Sequence, residues 1–164
     1  MTRTLALAAL LALCGCGLQP MYAGGSSGAV ASSLSAIQVA PIPERAGWLV
    51  RHALVDRLGG ESASPSYRLE VELDDDLTGF GIRGDSAVTR ERRTLRARYR
   101  LVDLSTGQVV LDATAGSDAG IDVVSSEYAT VAAEQSAQER LATVIADQVV
   151  SRLALFVRNR SPGQ

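Results

Sequence analysis

Apolar and polar positions divide this chain into short blocks with clear periods. Leu5–Leu13 is an unbroken apolar run of Leu and Ala. Leu34–Val39 reads as a first strand, closed by Pro41 and Pro43. From Glu44 to Leu58 the apolar residues recur at three- and four-residue spacing, at Ala46, Leu49, Val50, Ala53, Leu54 and Leu58. That spacing predicts a helix, which Gly59-Gly60 stops. Tyr67–Asp74 then alternates. Tyr67, Leu69, Val71 and Leu73 point one way, and Arg68, Glu70, Glu72 and Asp74 the other, as in a half-buried strand.

Thr94–Leu104 alternates in the same manner, with Leu95, Ala97, Tyr99 and Leu101 opposite Arg96, Arg98 and Arg100. Ser105–Gln108 is a turn, and Val109–Ala115 returns as another strand. Thr78–Asp85 and Gly116–Ser126, rich in glycine and small polar residues, read as loops. A long helix follows over Val131–Arg158, with Ala137, Leu141, Val144, Ile145, Val149, Leu153 and Phe156 as its stripe. The order strand, helix, three strands, helix predicts an α+β fold. Two helices cover one face of a mostly antiparallel four-stranded sheet in a two-layer sandwich, and the other face stays polar.

The N-terminus is an export signal. One charge, Arg3, precedes the apolar run, which is too short for the roughly 20 residues of a spanning helix. The run ends in Leu13-Cys14-Gly15-Cys16, which resembles the lipobox of bacterial lipoproteins. Cys16 has the small Gly15 before it, whereas Cys14 has bulky Leu13, so Cys16 is the expected lipidated residue. The expected organisation is a signal peptide at 1–15, a lipidated Gly/Ser/Ala tether at 16–33 and one domain at 34–160. Two or three acyl chains on Cys16, a diacylglyceryl and an N-acyl group, would hold firmly at about 0.8 kcal/mol per buried methylene. No Asp follows Cys16, which favours the outer membrane over retention in the inner one.

Composition narrows function mainly by exclusion. Net charge is −2, which gives no sign of nucleic-acid binding. After removal of the signal one cysteine remains, so no disulfide and no Cys/His metal cluster is expected. His52, the single histidine, reads as a solvated helix residue. Gly79–Gly84 spells G-x-G-x-x-G but opens no helix, and no Gly-x-Ser-x-Gly elbow is present. Asp74–Asp76 lacks calcium-loop spacing and reads as a solvated turn. Neither an enzyme nor a cofactor is expected beyond the lipid on Cys16.

All 16 basic residues are arginine, and six of them lie between Arg90 and Arg100 with Glu91 as the only acid. Alternation sets Arg96, Arg98 and Arg100 about 7 Å apart on the open face. Two readings follow. The row grips phosphates, or it pairs across the sheet with Glu70, Glu72 and Asp74. Arg83, Arg90, Arg92, Arg93 and Arg96, at the end where loop becomes strand, are the candidate anionic-ligand residues.

The start Cys16-Gly17-Leu18-Gln19-Pro20-Met21-Tyr22, the segment Ile42–Gly47, Tyr67-Arg68-Leu69, Tyr128-Ala129-Thr130 and the closing helix resemble lipopolysaccharide-assembly lipoproteins of the LptE family, alphaproteobacterial type. Leu18 and Met21 stand where that family usually has an aromatic residue and Leu. The resemblance implies an outer-membrane lipoprotein with its domain in the periplasm or inside the lumen of its partner, the LptD β-barrel. There it plugs and helps assemble the barrel and assists delivery of lipopolysaccharide (LPS) to the outer leaflet. The alternative expectation is an auxiliary lipoprotein of a periplasmic lipid or solute ABC transporter.

Overall fold

The computed structural model describes residues 29–82 and 88–160. The expected signal peptide, Cys16, most of the expected tether and Arg83 lie outside them. The chain folds as α1 (Ala29–Ser35), β1 (Ile37–Val39), α2 (Glu44–Leu58), β2 (Tyr67–Ile82), β3 (Val88–Asp103), β4 (Val109–Asp122) and α3 (Glu127–Arg160). The sheet order is β1-β2-β3-β4, with β1 parallel to β2 and the other pairs antiparallel. This is the expected α+β fold, with one short helix more than the apolar period announces.

The elements depart from expectation at their ends. The expected first strand shrinks to three residues, because Leu34 belongs to α1 and is buried there. Residues 29–33, expected in the tether, are helical for the same reason. The two expected loops are strand: β2 continues through Thr78 to Ile82, and β4 through Gly116 to Asp122. Glycine weakens a strand but does not forbid one where a neighbouring strand supplies the ladder. Here β3 does so, pairing Arg92 with both Thr78 and Gly120.

One face of the sheet holds the core. Leu69, Leu95, Tyr99 and Leu101 are fully buried under Ile145, Val149 and Leu153 of α3 and Val50 and Leu54 of α2. With 34 residues α3 is about 50 Å long, matching a 16-residue strand. A single helix therefore underlies nearly the whole sheet, and α2 packs along it. At its end α2 closes as the sequence predicts: Gly59 is left-handed, and the Gly60 amide donates to the Val55 carbonyl.

Candidate functional site

Strand register fixes which arginines share a surface. Even-numbered residues of β3 face away from the helices, so Arg90, Arg92, Arg96, Arg98 and Arg100 form one row on the open face. Beside them β2 contributes Glu70, Glu72, Asp74 and Asp76, and β4 contributes Asp112, Asp118 and Asp122. A basic row thus lies between two acidic ones. The expected cross-sheet pairing holds for Arg100, which reaches Glu72 at 2.7 Å and Glu70 at 3.9 Å.

On the other flank the acids of β4 take Arg98, Arg90 and Arg92. Arg98 makes two hydrogen bonds to Asp112, at 3.2 and 2.8 Å, and these hold the Asp112 carboxyl below its ordinary range. Arg90 reaches Asp122 at 3.2 Å and Arg92 reaches Asp118 at 3.9 Å. Arg92 also lies over the Phe80 ring, 5.4 Å from its centre. Sequence reasoning misses Asp118 and Asp122 because it reads their stretch as a loop, and it misses Asp112 although that residue lies on the expected strand Val109–Ala115. The alternation of Asp112, Thr114, Gly116, Asp118, Gly120 and Asp122 was the available signal. These pairs are exposed, and each contributes only about 0–1 kcal/mol.

Two arginines stand apart from this ladder. Arg96 is exposed and has no acidic partner among the described residues. On one side its register neighbour is Gly116, which offers no side chain, and on the other Asp74. The missing side chain opens a hollow of 540 Å³ walled by Glu72, Asp74, Arg96, Arg98 and Thr114. Arg93 has odd register and turns toward the helices instead. Its guanidinium forks onto Asp75 at 2.8 and 2.7 Å, and buried Gln138 of α3 donates to the same carboxylate at 2.8 Å. The structure therefore does not bring Arg93 together with Arg90 and Arg92 on one surface. Burial pushes the Asp75 carboxyl up, but the hydrogen bonds from Arg93 and Gln138 and the Arg93 charge outweigh it and hold the group below its ordinary value.

Beyond this lock Glu91 faces Glu134 of α3, and one Glu91 oxygen is buried without a hydrogen-bond partner. Burial pushes the Glu91 carboxyl up, and the charge and hydrogen bond of Glu134 push it the same way. A carboxyl raised in the folded state stabilises the fold in its protonated form, and that stability is lost as pH rises through the folded value. Glu91→Gln is therefore expected to raise Tm at neutral pH. The gain should vanish at about pH 4, below the ordinary value of 4.5. Thermal melts of both proteins across that range check it.

Among the described residues no three His, Cys, Asp or Glu side chains converge to hold a metal, and no helix is long and apolar enough to cross a membrane. His52 is exposed and stacks on Trp48, with ring centres 5.4 Å apart. Among the described residues, this arrangement offers a long, polar, self-neutralised sheet face with one unpaired cation, Arg96, at its centre.

Comparisons with known proteins agree with this architecture. The profile of the LptE family, described as lipopolysaccharide-assembly, matches residues 34–153. Among solved structures, a candidate lipoprotein of Caulobacter crescentus CB15 is 29% identical and superposes with a TM-score of 0.69, over 83% of this chain and 100% of that one. Rare lipoprotein B of Shewanella oneidensis superposes at 0.59 with 9% identity, over 76% of this chain and 96% of that one. Lipoprotein B of Nitrosomonas europaea superposes at 0.56 with 10% identity, over 76% and 88%. At such identities the last two speak for the fold alone. No curated protein matches the chain.

Proposed function

The chain belongs to the LptE family of lipopolysaccharide-assembly proteins, and on that premise we propose that it is an outer-membrane lipoprotein, anchored through Cys16, that occupies the lumen of the LptD β-barrel, helps the barrel assemble and assists delivery of LPS to the outer leaflet. The observation that carries this reading is the family match, which begins at the first buried core residue, Leu34, and runs through every strand into α3. The open face supports it physically. A barrel lumen is polar and water-lined, and a sheet face of alternating, mutually paired charges is at home there, whereas lipid would leave those charges without solvent. The role is one of binding and assembly, as in the LptE family generally.

Arg96 is the proposed contact for a phosphate of lipid A. It is the one open-face arginine of β3 that gives up no ion pair when an anion arrives. Arg90 and Arg92, whose ion pairs are exposed, lie further along the same row, and Arg83 remains a candidate from the sequence alone. Arg93 is assigned to the fold and not to the ligand. Arg96→Ala is expected to weaken LPS binding about tenfold and to leave stability within about 0.5 kcal/mol of the parent. Titration with fluorescent LPS, beside a denaturant melt, measures both.

Depletion of the protein in its own host tests the function. Surface LPS and the amount of folded, heat-modifiable barrel should fall together. Unchanged surface LPS after full depletion would overturn the reading.

A further inference from the structure

The outer edge of β4 has a defined set of open backbone groups. Val123 donates its amide to the Thr89 carbonyl, so odd-numbered residues at this end turn their backbone toward β3. Even-numbered residues turn theirs outward. Gly116 confirms the phase, because the Gln148 side chain of α3 accepts from its amide and donates to its carbonyl, both at 3.2 Å. A carboxamide thus already occupies one rung of the edge as a strand would. The next rungs, at Asp118, Gly120 and Asp122, have no such cap among the described residues, and none of these stands within 4 Å of the place where a Gly120 side chain would be.

Next to these rungs a groove of 850 Å³ separates the edge from α3. Its helix wall carries the small residues Ala133, Ser136 and Thr143 and half-exposed Val144, with the charged Glu139 and Arg140 between them. On the opposite face of the edge stand Asp118 and Asp122, 63% and 80% exposed. Charge alternates across the sheet, acidic on β2, basic on β3 and acidic on β4, so the complementary next row is basic. A second copy of this chain paired about Gly120 does not fit. Antiparallel pairing of two β4 edges about Gly120 would set Asp118 against Asp122 twice, and like charges directly opposite destabilise a sheet.

We propose that the β4 edge from Asp118 to Asp122 is a docking site for an extended segment of another polypeptide, added to the sheet as a fifth strand. The segment alternates basic side chains, over Asp118 and Asp122, with small apolar ones that enter the groove on α3. Gln148 ends the site on one side, which limits it to about five or six residues, roughly 17–20 Å of strand. This inference stands on the backbone pattern and not on the barrel reading, so it survives or fails independently of the depletion experiment.

The test uses the full chain in detergent micelles and a labelled, end-blocked hexapeptide of alternating Arg and Val, with a Glu-Val hexapeptide as control. Fluorescence anisotropy should show the Arg-Val peptide binding about tenfold tighter than the control. Amide hydrogen exchange by NMR should slow at Asp118, Gly120 and Asp122. Gly120→Pro, which removes an outward donor at an edge that tolerates proline, should weaken binding about tenfold. Should that variant misfold, Asp118→Arg with Asp122→Arg must reverse the preference between the two peptides. Several results would overturn the proposal: no binding, binding without slowed exchange at the three amides, equal affinity in Gly120→Pro, or edge protection that comes from dimerisation of the chain.

Discussion

Arg93→Met should destabilise the fold by about 2–4 kcal/mol, far more than loss of any other arginine in β3. The physical reason is the company that Arg93 keeps. Its side chain is 17% exposed and that of Asp75 is 12% exposed, so the two charges are largely withdrawn from water and satisfied by a forked pair. Methionine preserves the stem but leaves the carboxylate with Gln138 as its only hydrogen-bond partner among the described residues. Most of the cost is then the stranded charge, and adding Asp75→Leu should recover much of it, because an apolar pair of similar volume is often as stable as a buried ion pair.

The pH dependence has a definite sign. The Asp75 carboxyl is held below its ordinary value of 3.8 in the folded state. Its contribution is therefore present above that value and is lost as pH falls through the lower folded value. The stability gap between parent and Arg93→Met should be full at neutral pH and should close in acid below about pH 3.8. Urea melts at several pH values measure the gap. A gap that stays constant into acid would show that Arg93 stabilises by packing and not by charge.

Gly47→Val is the second large effect, expected at about 2–4 kcal/mol. Gly47 is buried on α2, where the helix meets the Ile42 segment that leads into it. A Cβ there would stand 2.7 Å from the Ile42 carbonyl oxygen and 2.8 Å from its carbon. Both atoms belong to the backbone, so relief requires the segment or the helix to move. The entry has little slack to give. Pro43 is the N-cap residue without a side-chain hydrogen bond, and Glu44 already sits at φ 67°, in the left-handed region. Chemical denaturation of the variant checks the loss, and a shorter side chain in Gly47→Ala should lose less.

How much of this was legible beforehand differs by element. The helix Glu44–Leu58 appears with its expected ends, because period, prolines and Gly59-Gly60 all mark the same boundaries. The core faces of β2 and β3 were equally plain where Leu, Val and Tyr alternate with charge. The signal faded where the strands outrun the core. Beyond Leu73 the helix-facing positions of β2 are Asp75, Leu77, Gly79 and Gly81, and composition alone cannot distinguish such a strand from a loop. Leu77 and Phe80 remain about 40% exposed there, so burial does not announce the element; pairing to β3 sustains it.

The arginine row was visible as a row, and its pairing with β2 was anticipated. The same boundary hides its neutralisation by Asp118 and Asp122, whereas Asp112 lies within the expected strand. Proximity in sequence groups Arg93 with Arg90 and Arg92. Strand parity alone would have set it on the opposite face, beside Leu95 and Ala97, had the strand been read as starting before Thr94. The partner that makes it structural, Asp75, lay in the stretch read as a solvated turn. α1 could not have been found from apolar period, since Val30 and Leu34 are its only large apolar residues.

The most direct test of the barrel-plug account is a pull-down of the tagged protein from detergent-solubilised outer membrane, with bound proteins identified and quantified by mass spectrometry. The account predicts one LptD-type β-barrel for each copy of this chain. Extraction of the chain alone, or in company with transporter subunits, would contradict it.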